Sequence, residues 1–248
     1  MHLPLFQLFN FSIILIVLIF LIKYVWDMFF GETYEPPAWE KARKDGKINL
    51  ELLKVVCNYP DKIRLYNFWI QIQRLNKENV TGDFAELGVY KGESARLIHL
   101  MDSNRIFHLF DTFEGFTLTD LKPETGEAAR YSSNNFADTS ISKVLKTIGG
   151  NPEKIKIHPG YFPSSTVGLQ DNKFALVNMD ADLYNPTKAG LEYFYPKLSP
   201  GGIIIIHDYN EKWEGLMKAV DEFSTTIPEQ LVVVSDLDSS VMILKNRK

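Results

Sequence analysis

A doubly wound, mostly parallel α/β sheet of seven strands, finished by an antiparallel hairpin and preceded by a membrane-spanning helix, is the architecture this sequence predicts. Three observations predict it. From Gly82 onward, short apolar runs alternate with helical stretches, the rhythm of a parallel sheet covered on both faces. Two of those runs, Ala175–Met179 and Gly202–Ile206, lead into acid, with Asp180 and Asp182 after the first and His207-Asp208 after the second. The N-terminal stretch Leu3–Ile22 contains no charged residue, close to the roughly 20 residues a bilayer-spanning helix needs.

Within that first stretch Gln7 and Asn10 are the only strongly polar residues, and the run passes directly into Lys23–Phe30 without a small-residue cleavage site. A retained anchor over residues 1–30 is therefore expected rather than a cleaved signal peptide. Tyr24, Trp26, Phe29 and Phe30 suit an interfacial belt. Lys23, Lys41, Arg43, Lys44 and Lys47 all follow the apolar run and no Lys or Arg precedes it, which predicts a single-pass protein with its globular part in the cytoplasm. A buried or interfacial helix docked on the domain is the alternative. Residues 31–50 mix Pro, Gly and charge and read as a juxtamembrane linker with one short helix.

The globular domain is expected over residues 51–248. Apolar residues recur at helical spacing from Leu52 to Leu75, and Pro60 divides them into two helices that form a lid or sheet-covering layer. Expected strands follow at Asp83–Leu87, Arg105–Phe110, Lys154–His158, Phe174–Met179, Gly202–Ile206, Gln230–Val234 and Val241–Leu244. Helical stretches at Ser94–Met101, Ser140–Thr147, Pro186–Leu198 and Trp213–Phe223 separate most of them. The short turn Ser235–Ser240 makes the last two strands a hairpin. Thr117–Asp138 is the long stretch without periodicity, a length that in compact domains is functional or mobile.

At 248 residues, 45% hydrophobic and 23% charged, the composition is that of an ordinary globular protein. A net charge of -4 argues against nucleic-acid binding, which needs a basic surface. Cys57 stands alone, so no internal disulfide forms and a reducing compartment is the natural expectation. Homo-oligomerisation is left open.

Open α/β sheets hold ligands beyond the carboxyl ends of their strands. The first strand hands over to a helix through Gly88 and Gly92, a turn that lets backbone approach a ligand closely. Gly88-x-x-x-Gly92 lacks the three-glycine dinucleotide fingerprint, so pyrophosphate binding is disfavoured. Glu86, a carboxylate in an otherwise apolar strand, needs a donor or cation, which a cofactor amino group or ribose hydroxyl would supply. Asp111 ends the second strand about twenty residues after the glycine turn, where ribose hydroxyls are bound in this architecture; a turn or helix-cap role is its alternative. Asp180 and Asp208, gathered at adjacent strand ends with Asp182, would repel one another unless a cation or substrate donor sat between them. Asp182 is either a helix cap or a general base.

Taken together, Gly82–Ala95, Asp111-Thr-Phe-Glu-Gly115, His158-Pro-Gly-Tyr-Phe-Pro163, Asp180-Ala-Asp-Leu-Tyr184 and Leu198-Ser-Pro-Gly-Gly202 resemble the macrocin O-methyltransferase family in order and spacing, over roughly Ile63 to Tyr209. The resemblance implies a Rossmann-like class I methyltransferase fold, S-adenosylmethionine as cofactor, and methylation of sugar hydroxyls. It also implies a divalent metal, commonly magnesium, held by Asp180, His207 and Asp208. His207 stands where the family usually has Asp. Because magnesium prefers hard oxygen ligands, the imidazole weakens the site, moves it toward manganese or iron, or leaves that position to water.

With the anchor, this predicts a membrane-tethered enzyme acting on a glycolipid or other glycan-containing acceptor. Arg64, Tyr66 and Arg130 are candidates to face it, and Tyr161 and Phe162 either stack on adenine or sugar or pack in the core. A nicotinamide-dependent oxidoreductase and a catalytically silent membrane-bound partner are the competing readings.

Overall fold

The computed structural model describes residues 5–30 and 35–247. The first four residues of the expected anchor, residues 31–34 of the expected linker, and the side chains of Phe29 and Phe30 lie outside the described residues. The chain divides into two compact units, Met1–Asp45 and Gly46–Lys248. In the first unit, helix α1 (Leu5–Phe30) contains the window Phe9–Trp26, with mean hydropathy 2.2 and none of its residues buried, so by length and composition it is able to cross a membrane. The short α2 (Pro37–Lys44) starts with proline in its first turn, where the missing N–H has no intrahelical partner to lose.

The second unit opens with α3 (Leu50–Asn58) and α4 (Lys62–Lys77), each started by a side-chain cap. Asn49 accepts from the Glu51 N–H at 2.7 Å and Asp61 from the Arg64 N–H at 2.9 Å, and Pro60 lies between the helices. There follow β1 (Asp83–Leu87), α5 (Glu93–Met101), β2 (Phe107–Asp111), α6 (Leu118–Leu121), α7 (Ile141–Ile148), β3 (Ile155–Pro159) and β4 (Phe174–Met179). The chain ends with α8 (Tyr184–Phe194), β5 (Leu198–Ile206), α9 (Glu214–Ser224), β6 (Leu231–Val234) and β7 (Ser240–Leu244).

The seven strands form one sheet in the order β3-β2-β1-β4-β5-β7-β6. β1 to β5 pair in parallel, and β7 is antiparallel to both β5 and β6. The expected doubly wound sheet with a terminal hairpin is the one formed. Because side chains alternate across a strand, each strand feeds two cores. Phe84, Leu109, Leu176, Ile203 and Ile205 pack with Phe68, Ile72, Ile98, Val144 and Ile148 of α4, α5 and α7. Ala85, Leu87, Val177, Ile204 and Ile206 pack with Leu191, Phe194, Leu216 and Val220 of α8 and α9.

Two element boundaries differ from expectation by four residues, the others by no more than two. β5 begins at Leu198 instead of Gly202, because Ser199-Pro-Gly201 continues as extended chain through a register shift, Phe174 pairing with Leu198 and Leu176 with Ile203. α8 stops at Phe194, short of Pro196, which cannot supply the next helical N–H.

Candidate active site

The strand order reverses between β1 and β4, and their carboxyl ends make the crevice in which such sheets bind ligands. Gly88 shows how close the two chains come: it has φ 83, and a Cβ there would lie 1.9 Å from the Asp180 carbonyl oxygen. Over the crevice lies a cavity of about 650 Å³, lined among others by Gly88, Tyr90, Asp111, Asp180, Asp182, His207 and Asp208. That volume is within the range of small-molecule sites.

On the β1–β2 side, Asp111 knits the glycine turn together. Its Oδ2 accepts the N–H groups of Val89 (2.7 Å) and Tyr90 (2.8 Å), and its Oδ1 accepts that of Phe113 (2.7 Å). A carboxylate accepts about four hydrogen bonds, so one acceptor position remains at the cavity wall for a hydroxyl. Asp111 thus does the turn work weighed from sequence and still faces the ligand space. Apolar walls beside an acidic acceptor fit a nucleoside such as the one S-adenosylmethionine carries.

Glu86 and Gly92 are placed differently from Gly88 and Asp111, outside the cavity lining. Strand alternation turns Glu86 toward the helical layer, where it is fully buried and accepts from Ser94 Oγ and, at 3.1 Å, from Asn178 Nδ2. Burial, reinforced by Asp180 and opposed by the Ser94 hydrogen bond, pushes its carboxyl up to about 8. Gly92, at φ 80, starts α5, and a Cβ there would sit 3.1 Å from Val144 of α7, a packing constraint.

At the β4 and β5 ends the acidic residues converge. Arg64 of α4 donates to Asp180 Oδ2 at 2.8 Å, and His207 Nδ1 lies 3.3 Å from Asp180 Oδ1 and 3.4 Å from Asp208 Oδ1. Burial works against ionising Asp180, but Arg64 and His207 hold its carboxyl well below the usual range. Burial also opposes charge on His207, but the Asp180 and Asp208 carboxylates raise it to about 10. Asp182 goes the other way: burial and the neighbouring Asp180 and Asp208 push its carboxyl well above the ordinary value.

His207 is 8% exposed, and its Nδ1 is buried without a hydrogen bond. One oxygen each from Asp180 and Asp208 and a His207 ring nitrogen lie within 4.8 Å of one another. Ligands about 2.2 Å from a common ion and at right angles around it would be about 3.1 Å apart, so the 3.3 and 3.4 Å separations fit a divalent ion.

Four residues lining this cavity, Tyr90, Phe136, Asp182 and Asp208, have left-handed backbone with φ of 47, 60, 60 and 63. Such conformations cost non-glycine residues energy and cluster at functional sites. They re-aim Asp182 and Asp208 beyond their strands. Asp182 does not cap α8: the N-cap position is Leu183, which offers no side-chain cap, and the Tyr184 N–H is taken at 2.7 Å by Glu124 Oε1.

Glu124 belongs to the aperiodic stretch Thr117–Asp138, which also gives Thr117, Asp120, Glu127, Tyr131 and Phe136 to the lining. Sequence reasoning missed Glu124, and it missed the stacked pair Tyr131–Trp213, with ring centroids 5.3 Å apart. Of the residues expected to face an acceptor, Arg64 lines the cavity, whereas Tyr66 and Arg130 are outside the lining, Tyr66 because it is buried in α4. Tyr161 lines it and donates to Asp120 Oδ1 at 2.9 Å. Phe162 touches it while stacking on Phe194 at 5.4 Å, so it also belongs to the core.

A family model described as macrocin O-methyltransferase matches residues 40–238. The chain is 30% identical to mycinamicin III 3''-O-methyltransferase of Micromonospora griseorubida, covering 72% of this chain and 74% of that one. It is 28% identical to a tetracenomycin rhamnosyl 4'-O-methyltransferase of Streptomyces olivaceus over 59% of this chain, spanning 60% of that relative's length. Among solved structures, the O-methyltransferase NovP superposes with TM-score 0.65 at 26% identity, covering 75% of this chain and 81% of that one. The calicheamicin methyltransferase CalS11 shares the fold, with TM-score 0.58 at 19% identity over 86% of this chain and 94% of that one.

Proposed function

The chain belongs to the macrocin O-methyltransferase family, and from that premise we propose that it methylates a sugar hydroxyl of a glycan or glycolipid at a membrane, with Asp182 as general base. Membership of an O-methyltransferase family counts against the oxidoreductase reading. S-adenosylmethionine supplies a methyl group on positively charged sulfur. What the chain must do is hold the cofactor, line up the acceptor oxygen and take its proton.

The observation that carries the reading is the division of labour among the strand-end acids. Asp180 is kept ionised by Arg64 and His207, whereas burial and two neighbouring carboxylates raise Asp182. A sugar hydroxyl is a poor nucleophile at neutral pH, and a base works best when its own pKa approaches the working pH. Burial and its neighbours move Asp182 in that direction. Asp111 and the Gly88 turn hold the nucleoside end, and Asp180, His207 and Asp208 would hold a divalent ion that polarises the acceptor oxygen. Tyr131 and Trp213 form an aromatic wall against which a sugar ring lies flat.

The membrane part of the reading rests on α1, whose window Phe9–Trp26 is apolar and unburied, and on the basic residues Lys41, Arg43, Lys44 and Lys47 that follow it. These support a catalytic unit on the cytoplasmic side. The relatives' own names, which include a rhamnosyl 4'-O-methyltransferase and a mycinamicin 3''-O-methyltransferase, support a sugar acceptor.

The test is to incubate membranes carrying the full-length chain with methyl-labelled S-adenosylmethionine. Label is expected in an alkali-stable ether of the glycolipid or lipid-linked glycan fraction. Label confined to protein or to fatty-acyl esters would overturn the acceptor assignment, and recovery of the chain in the soluble fraction would overturn the tether.

A further inference from the structure

We propose that this site selects a first-row transition ion over magnesium, with His207 Nδ1 as the selecting ligand and Arg64 limiting Asp180 to a single ligating oxygen. The proposal rests on the reading of Asp180, His207 and Asp208 as a metal site. It begins with an unsatisfied atom: Nδ1 of His207 is buried, makes no hydrogen bond, and faces the inner oxygens of Asp180 and Asp208 at 3.3 and 3.4 Å. A buried polar atom without a hydrogen bond costs stability. An ion between the three groups removes that cost.

The ring's other surroundings add to this. A ring nitrogen of His207 lies within 4.8 Å of carboxylate oxygens of Asp61 and Asp236. Both acids are held in place, Asp61 by the N–H groups of Arg64 and Leu237 and Asp236 by Ser240. At that distance the two carboxylates add negative charge beside the imidazole. Arg64, 6% exposed, occupies Asp180 Oδ2 at 2.8 Å, leaving Oδ1 for an ion.

Two carboxylates, one imidazole and an adjacent guanidinium make a donor set softer and less negative than three carboxylates. Magnesium requires oxygen ligands and dehydrates reluctantly. Imidazole suits iron, nickel, copper and zinc, and the affinity of such a site rises from manganese through cobalt to copper. An imidazole where a third carboxylate would suit magnesium therefore changes which ion is held.

The experiment titrates the full-length chain in detergent with Co2+ and with Mg2+ by calorimetry, without acceptor or cofactor. Wild type is expected to bind Co2+ at least about 100-fold more tightly than Mg2+, and His207→Asp to shrink that ratio by about tenfold or more. Asp180→Asn should abolish both. Because His207→Asp brings another acid into a buried cluster and could unfold, a second readout uses wild type alone. Electron spin echo modulation of the Mn2+-loaded protein should show coupling to an imidazole nitrogen, absent in His207→Gln.

Equal affinity for Co2+ and Mg2+ in wild type, an unchanged ratio in folded His207→Asp, or Mn2+ without nitrogen coupling would overturn the selectivity while leaving a metal site. Binding of neither ion, or binding unaffected by Asp180→Asn, would overturn the metal reading itself.

Discussion

Two polar clusters sit on the same sheet, and they are built on opposite principles. On β2 and β3, His108 Nε2 meets Asp83 Oδ2 at 3.0 Å, His108 Nδ1 meets His158 Nε2 at 2.9 Å, and Asn172 Nδ2 donates to the same Asp83 oxygen at 3.0 Å. None of these side chains has a buried atom left unpartnered. Around Asp180, by contrast, Arg64 Nε and His207 Nδ1 are buried without a hydrogen bond. Left-handed backbone at Asp182 and Asp208 belongs to this second cluster as well. Polar groups buried for structure complete their bonds within the chain. Those at the crevice are left open, and the openness is where ligands come in.

The largest expected effect falls on activity. Asp182→Asn removes the base and should lower methyl transfer by about 10²- to 10⁴-fold, the usual worth of a positioned base. The same change removes a carboxylate that burial, Asp180 and Asp208 all disfavour in its charged form. Melting temperature at neutral pH should therefore hold or rise. Undiminished turnover would transfer the base role elsewhere; a lowered melting temperature would mean Asp182 is structural after all.

Next comes Asp180→Asn, which leaves the Arg64 guanidinium buried, 6% exposed, without its counter-charge. Breaking such a pair from one side costs about 3–5 kcal/mol, measurable by denaturant titration. Arg64→Met in the same background should recover part of the loss, since it removes the stranded charge. No recovery would show that the pair is not what holds α4 to the end of β4.

The contrast between the clusters also explains what the sequence made legible. Strand periodicity and the apolar runs before Asp180 and His207-Asp208 carry the sheet, because burial on both faces leaves a dense apolar signature. The acids could be placed at strand ends for the same reason. What stayed hidden depends on direction. Glu86 and Gly88 are two residues apart, and only the pleat and the turn decide that Gly88 meets the cavity while Glu86 lies behind it. Glu124 capping α8 is a contact across 60 residues of chain, from a stretch with no period to read. Arg64 had no local signal beyond its charge, since its partner is 116 residues away. Propensity at Tyr90, Asp182 and Asp208 gave no warning of left-handed backbone, which tertiary packing imposes.

A smaller effect separates the clusters by pH. Glu86 is held at about 8 in the folded chain against 4.5 for an ordinary glutamate. Between those values the folded state keeps a proton that the unfolded state has released. The linkage slope is then negative, and stability is lost as pH rises from about 4.5 to 8. Glu86→Gln should flatten that decline by a few kcal/mol in melts of the cofactor-free chain. An unchanged slope would mean that Glu86 is ionised in its pocket.

His158 should give the mirror image, and the smallest change. Burial, with His108 adding to it, lowers its imidazole to about 4 from 6.5. Here the unfolded chain takes the proton first, so stability contributed by the neutral ring is present above 6.5 and lost as pH falls toward 4. His158→Phe keeps the ring stacked on Phe110, now 4.6 Å between centroids. With His108 Nε2–H given to Asp83, the substitution strips His108 Nδ1 of its only donor. The cost at neutral pH should be about 1–3 kcal/mol, the desolvation of one buried acceptor, while the acid-side loss becomes shallower. Methyl transfer should stay at the wild-type level, because His158 is outside the cavity lining. A fall in turnover without a fall in stability would show that the two clusters are coupled through β2.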